Sequence, residues 1–197
     1  YEVTVDDIMA EINKDVIFFD DSGGGITCSG GEPLLQPVFL LKLLKACKEQ
    51  DIHTALDTSG YSSGFVLDSV IDYVDLFLFD LKLIDEAEHI KYTGVSNRPI
   101  LDNLKKLAAA NSKINIRLPV IPNITNSKAN IILIKETLSS LNCVQRISLL
   151  PYHQIATEKY KKLNRLNKMA EIKTPSEETL RNLKADFETS GFQVSIG

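Results

Sequence analysis

Residues 29–33 read Ser-Gly-Gly-Glu-Pro. With no side chain at Gly30 or Gly31, a ligand can approach the backbone closely, and N–H and C=O groups become the recognition surface. Glu32 sets the sign of the site. A carboxylate repels phosphate, but beside exposed carbonyls it suits a ligand that carries a positive amino group. A dinucleotide loop would need a different glycine spacing, with a helix opening directly on it, and a phosphate loop would need a Gly-Lys-Ser/Thr ending. Neither pattern is present.

Other chemistry-bearing residues recur at similar places. Asp57-Thr58-Ser59-Gly60, Asp80-Leu81-Lys82 and Pro151-Tyr152-His153 each follow a short apolar run, and Arg117 interrupts another. Asp57 and Asp80 repel each other if close, unless they share a cation or hydrogen-bond donors. They are expected, with Thr58, to hold a cation or a ligand's polar groups. Lys82 at a strand end also fits a Schiff-base nucleophile, so an α/β-barrel lyase is an alternative. That alternative leaves the Gly30-Gly31-Glu32 loop unexplained. Plainer roles stand beside these: an ion pair for Lys82 with Asp80, a small buried hydrophobe for Cys28, a structural strand residue for His53, and a solvated position in a polar helical stretch for His89. Residues 158–168 carry Lys159, Lys161, Lys162, Arg165 and Lys168 against one acid. This stretch reads as a solvated loop, or as a docking surface for a protein partner.

Such residues need a scaffold. Apolar runs at 25–28, 53–56, 74–79, 114–120, 146–150 and 192–196 predict strands, with amphipathic stretches between them. Residues 37–50 predict a helix with Leu40, Leu43, Leu44 and Cys47 on one face. Residues 99–110 repeat the plan with Leu101, Leu104 and Ala108. Asn126 is expected to cap a helix carrying Ile131, Ile134 and Leu138. Thr174 to Glu177 reads as a capping box opening a helix with Leu180, Leu183 and Phe187, stopped by Gly191, and Thr4 caps a helix reaching into residues 7–12. Alternating strands and helices predict βαβ units and a parallel sheet, with its chemistry at the carboxyl ends of the strands.

The 197-residue length fits one domain, and the net charge of −4 argues against a nucleic-acid binder. No apolar run approaches the roughly 20 residues of a membrane span. Cys28, Cys47 and Cys143 are odd in number and widely spaced, so they suggest neither a disulfide framework nor a metal set. The cytoplasm is the expected location.

The stretch 24–33, GGITCSGGEP, resembles the glycine motif of radical S-adenosylmethionine enzymes. With IHTALDTSG at 52–60, DLK at 80–82, GVSN at 94–97 and LLPYH at 149–153, the chain is similar to glycyl-radical-enzyme activating enzymes of the pyruvate formate-lyase activating type. The resemblance implies an α/β fold, a partial parallel (β/α)6 barrel over residues 1–197, here without its N-terminal strand and cluster loop. It implies that a reduced [4Fe–4S] cluster cleaves S-adenosylmethionine, and that the 5′-deoxyadenosyl radical takes a hydrogen from a glycine of a partner such as pyruvate formate-lyase. The electron donor would be a flavodoxin or ferredoxin-like protein. Gly30 and Gly31 would hold the cofactor's ammonium group, and Glu32 would act by charge or orient the loop. Lys82 and Arg117 would take the carboxylate or ribose edge, with Asp80 and Leu81 alongside, and His153 would touch adenine. The motif C-x-x-x-C-x-x-C that such a cluster needs is not in the sequence. The chain starts at Tyr1 without Met, so the cluster cysteines are expected upstream. Alone, it is expected to cradle the cofactor without making the radical. A non-catalytic module that captures S-adenosylmethionine or a protein is a third reading.

Overall fold

The computed structural model describes residues 3–141, 144–153 and 172–197. Cys143 and the basic stretch 158–168 lie outside the described residues. The strands are β1 (Gly25–Cys28), β2 (His53–Thr58), β3 (Leu76–Asp80), β4 (Ile114–Val120), β5 (Val144–Pro151) and β6 (Gln193–Ile196). The helices are α1 (Val5–Ser22), α2 (Pro37–Glu49), α3 (Gly64–Val70), α4 (Glu86–Thr93), α5 (Arg98–Ala109), α6 (Lys128–Ser139) and α7 (Glu177–Glu188). The strands are ordered β1-β2-β3-β4-β5-β6. The pairs β1/β2, β2/β3 and β5/β6 are parallel, with Thr27 opposite Ala55, Thr58 opposite Phe79 and Ile147 opposite Val194. The parallel α/β architecture expected from the strand–helix alternation is present.

Two compact units divide the chain. One comprises Tyr1–Asp80 with Ser96–Asn115, the other Leu81–Val95 with Ile116–Gly197. In the first, α2 buries Leu40, Leu43, Leu44 and Cys47, the i, i+3, i+4, i+7 stripe of an amphipathic helix. These side chains share a core with Leu56, Leu67, Phe77 and Phe79, all fully buried. Burying each such side chain stabilises the fold by about 1.5–3 kcal/mol. The strand β4 alternates strictly: Ile114, Ile116, Leu118 and Val120 are buried, and Asn115, Arg117 and Pro119 occupy the other face; from Ile116 onward it belongs to the second unit. There α6 contributes Ile131, Ile134 and Leu138. The ring of Phe187 on α7 meets Phe192 edge to face at 6.3 Å.

Local signals hold at some helix ends and shift at others. Thr4 caps α1 in a reciprocal box with Asp7, and the helix runs on to Ser22 before Gly23 turns left-handed at φ 63°. The cap of α6 is Ser127 rather than Asn126, because the Asn126 carboxamide accepts the Asn123 N–H at 2.8 Å. The cap of α7 is Ser176 rather than Thr174. On α5 the buried stripe is Ile100, Asn103, Leu104 and Leu107, about one residue out of phase with the expected one. The helix α3 was not foreseen, whereas α4 is the polar helical stretch expected around His89. His89 is not solvated: it is 3% exposed on α4, and its Nδ1 lies 2.8 Å from the Val95 carbonyl and 2.9 Å from Thr93 Oγ1.

Candidate functional site

Glu32 stands between two strand-end loops of the first unit. It is extended (φ −124°, ψ 108°) and caps a short 3-10 turn, Pro33–Leu35. One carboxylate oxygen, Oε1, accepts the Leu34 N–H at 3.2 Å and the Thr58 hydroxyl at 2.6 Å. The other, Oε2, accepts the Ser59 N–H at 2.9 Å and the Ser59 hydroxyl at 2.6 Å. Four donors thus fill the acceptor sites of one carboxylate. Bonds to an ionised acceptor are roughly twice as strong as neutral ones, so this is the firmest tie between the end of β1 and the end of β2. The hydroxyls of Thr58 and Ser59 also accept from backbone two residues on, Gly60 N–H at 2.9 Å and Tyr61 N–H at 3.3 Å. That is the local turn Ser and Thr favour.

These bonds tie Glu32, predicted to act by charge or to orient its loop, to the loop after β2. Thr58, expected as a ligand, is buried with its hydroxyl turned to Glu32. Asp57 is half-buried, and its Oδ2 accepts the Ser29 hydroxyl at 3.0 Å. Asp80, also half-buried, ends β3 one position past Phe79, the residue paired with Thr58.

Gly30 and Gly31 are exposed on the loop that Glu32 holds. Gly30 has φ +102°, a conformation that favours glycine. Gly31 has an ordinary φ, and a Cβ there would meet no protein atom within 4 Å. Among the described residues nothing therefore demands glycine at 31, and its backbone is exposed. Gly60 differs: its φ is +70°, and a Cβ would run into the Phe79 ring.

The remaining predicted residues belong to the second unit. Leu81 is 1% exposed, and its N–H donates to the Arg117 carbonyl at 3.0 Å. Only its backbone is available to a ligand. Lys82 is half-buried, and its carbonyl accepts Asn130 Nδ2 at 2.9 Å. Arg117 is half-buried on the face of β4 opposite its buried aliphatic residues. His153 is exposed just beyond β5, after Tyr152, whose N–H donates to the Val120 carbonyl at 3.2 Å. Asn103 and Asn130, both nearly inaccessible, went unforeseen. Each is an amide inside an apolar helical stripe, and that placement was the available signal.

Cys28 and Cys47 are buried free thiols. Burial, with a smaller contribution from Cys47, pushes the Cys28 thiol up to about 11, and burial also raises that of Cys47. A cavity of about 850 Å³ is lined mainly by apolar residues such as Ile8, Ile12, Ile26, Phe39 and Leu43, with Thr27, Ser29 and Gln36 among them.

Residues 1–133 match the model of the radical SAM superfamily. The chain is 44% identical to the trans-4-hydroxy-L-proline dehydratase activating enzyme of Clostridioides difficile, over all of this chain and 66% of that protein. It is 38% identical to the pyruvate formate-lyase-activating enzyme of Clostridium pasteurianum, over 93% of this chain and 76% of that one. A crystal structure of a domain of the pyruvate formate-lyase-activating enzyme of Bacteroides vulgatus superposes with a TM-score of 0.73 at 35% identity, covering 88% of this chain and 99% of that domain. The chain thus spans about two thirds of the first of these relatives.

Proposed function

The chain belongs to the radical SAM superfamily, and we propose that it supplies the S-adenosylmethionine-binding framework of an activating enzyme for a glycyl radical enzyme. The observation that carries this reading is the Glu32 latch, which fixes an open Gly30–Gly31 backbone at the end of β1. Carbonyls of such a loop receive the ammonium group of the cofactor's methionine end. Glu32, its acceptor sites filled, holds the loop and leaves a negative field beside it. Lys82 and Arg117 offer cations for the carboxylate or the ribose edge, His153 a ring for adenine, and Asp57 with Asp80 carboxylates for a cation. Each of these assignments has its own substitution as a test. When bound, the cofactor supplies a sulfonium whose cleavage is the chemistry of the superfamily.

The superfamily also implies a [4Fe–4S] cluster. The described cysteines do not fit one: Cys28 and Cys47 are buried thiols held in the neutral form, whereas cluster ligands are thiolates. Among the described residues no group of three His, Cys, Asp or Glu side chains could hold a metal.

The protein partner is a glycyl radical enzyme. Similarity to activators of a hydroxyproline dehydratase and of pyruvate formate-lyase, at 44% and 38% identity, supports the class and leaves the choice within it to experiment. Equilibrium dialysis against S-adenosylmethionine and 5′-methylthioadenosine, which lacks the amino-acid end, tests the cofactor reading. Preference for S-adenosylmethionine is expected, and its loss in Glu32→Gln. Equal binding of the two, or of neither, overturns the reading. Affinity measurements with each candidate glycyl radical enzyme offered in turn to the chain identify the partner; the electron donor, a flavodoxin or a ferredoxin-like protein, is identified in the same way.

A further inference from the structure

The Glu32 latch is only as well placed as the loop it grips. That loop, residues 58–62, leaves β2 and enters α3, and Gly60 at φ +70° bends it. Its outer side is held by one residue. Asn103 projects from α5, is 2% exposed, and donates from Nδ2 to the carbonyls of Gly60 and Ser62, both at 2.9 Å. Two carbonyl partners fix the amide's orientation, since only the NH2 end can donate. The loop is therefore pinned from both sides. On one side the Glu32 carboxylate takes the N–H and hydroxyl of Ser59. On the other, the Asn103 amide takes the carbonyls of Gly60 and Ser62.

A core made only of aliphatic residues would pack α5 as well. An asparagine at this point of the stripe Ile100, Leu104 and Leu107 carries a desolvation penalty unless its polar atoms are paired. We infer that Asn103 is a positioning residue: acting through Gly60 and Ser62, it sets the place of Ser59 and hence the direction in which Glu32 presents the Gly30–Gly31 loop. This rests on the S-adenosylmethionine reading above, for that is the ligand whose binding it would govern.

The test uses Asn103→Asp, which keeps size but sets oxygen against two carbonyls, and Asn103→Ser, which shortens the donor and carries the test should the first variant not fold. Two quantities are read well below each variant's melting temperature: the dissociation constant for S-adenosylmethionine, and amide hydrogen exchange at Ser59, Gly60 and Ser62 against Leu56 in the same unit. Affinity is expected to fall about tenfold or more, a loss of roughly 1.4 kcal/mol. Exchange in the loop should rise about tenfold while that at Leu56 holds. Asn103→Gln, which restores the donor on a longer arm, should recover part of both. A folded variant with affinity within about twofold of the parent and unchanged loop exchange overturns the inference. If the parent itself fails to bind the cofactor, the functional reading falls, and the exchange measurement still decides whether Asn103 positions the latch.

Discussion

Two strand-end loops carry Thr58 on one and Leu81 with Lys82 on the other, and they are held by different chemistry. The loop after β2, residues 58–62, is gripped by a carboxylate on one side and by the amide of Asn103 on the other. The segment after β3, residues 81–84, is held by an amide: Asn130 Nδ2 donates to the Lys82 carbonyl, while its Oδ1 accepts the Ile84 N–H at 3.0 Å. A neutral amide both gives and takes, so one residue can brace a segment at two points. A carboxylate only accepts, but gathers donors from several loops and binds each more strongly. The first arrangement suits a loop that must keep one shape beside a charged ligand. The second suits a segment whose side chain, Lys82, carries the charge itself.

The largest effect expected from breaking this contrast is at Glu32. In Glu32→Gln the amide nitrogen faces donors that the carboxylate accepted. Hydrogen bonds to a charged group are worth about 1.5–3 kcal/mol each, and the loss of at least one, with a donor left opposed, should lower stability by about 3 kcal/mol. Denaturant unfolding measures this directly. A loss below about 1 kcal/mol would mean that the latch is no stronger than an ordinary neutral hydrogen bond.

Next in size is Asn130→Asp, in which oxygen would face the carbonyls of Lys82 and of Thr125, the latter now 2.7 Å from Nδ2. A loss of about 2 kcal/mol is expected, together with faster amide exchange at Ile84 and none at Ser59. Equal loosening of both loops would show that they are not independently braced, and the comparison would fail.

How much of this was readable beforehand follows from the residues. The strands and α2 were legible because unbroken apolar runs and the 3.6-residue stripe are strong signals, and Ser29 to Glu32 and Asp57 to Gly60 stand out by type alone. What escaped depends on partners distant in sequence. The expected α5 stripe took Leu101 and Ala108 as inward, because an asparagine is not read as a core residue. Burial of Asn103 makes sense only once the carbonyls of Gly60 and Ser62 are beside it. The burial of His89 was misread for the same reason: in a polar helical stretch the ring looks solvated until its partners, Thr93 and the Val95 carbonyl just past the helix end, are known. The donors of Glu32 escaped likewise, since Thr58 and Ser59 lie 26 and 27 positions further along the chain.

A third, smaller effect separates the two units by pH. Cys28 ends β1 and lies in the first unit, as does Cys47. Burial raises the Cys28 thiol from 9.0 to about 11. A group whose folded pKa lies above its unfolded value lends stability in full below the unfolded value and loses it as pH climbs to the folded one. The first unit should therefore weaken as pH climbs from 9 toward about 11, by roughly 1.4 kcal/mol over the first pH unit. Alkaline melts of the parent and of Cys28→Ala, with exchange read separately at Leu56 and Ile147, check this. An equal alkaline loss in Cys28→Ala would place the titrating group elsewhere.

The smallest effect sharpens the comparison most, because two helix starts repeat it in miniature. Thr4 caps α1 and Ser127 caps α6, and each hydroxyl accepts the N–H of the residue three positions on, Asp7 at 3.2 Å and Asn130 at 3.3 Å. The Asp7 carboxylate turns back to the cap, accepting the Thr4 N–H at 2.9 Å and its hydroxyl at 2.6 Å. The Asn130 amide turns away, to Lys82 and Ile84. The Thr4 hydroxyl first, and then its N–H, hold the Asp7 carboxyl below its ordinary value of 3.8. A depressed folded pKa means stability that is present above that value and fades as pH falls through the folded one. Thr4→Ala and Ser127→Ala should each lower the melting temperature by about 2–4 °C at neutral pH. The Thr4→Ala deficit should shrink as pH drops below 3.8, while the Ser127→Ala deficit holds over the same range. Parallel pH profiles for the two variants would mean that the returning carboxylate adds nothing to its cap.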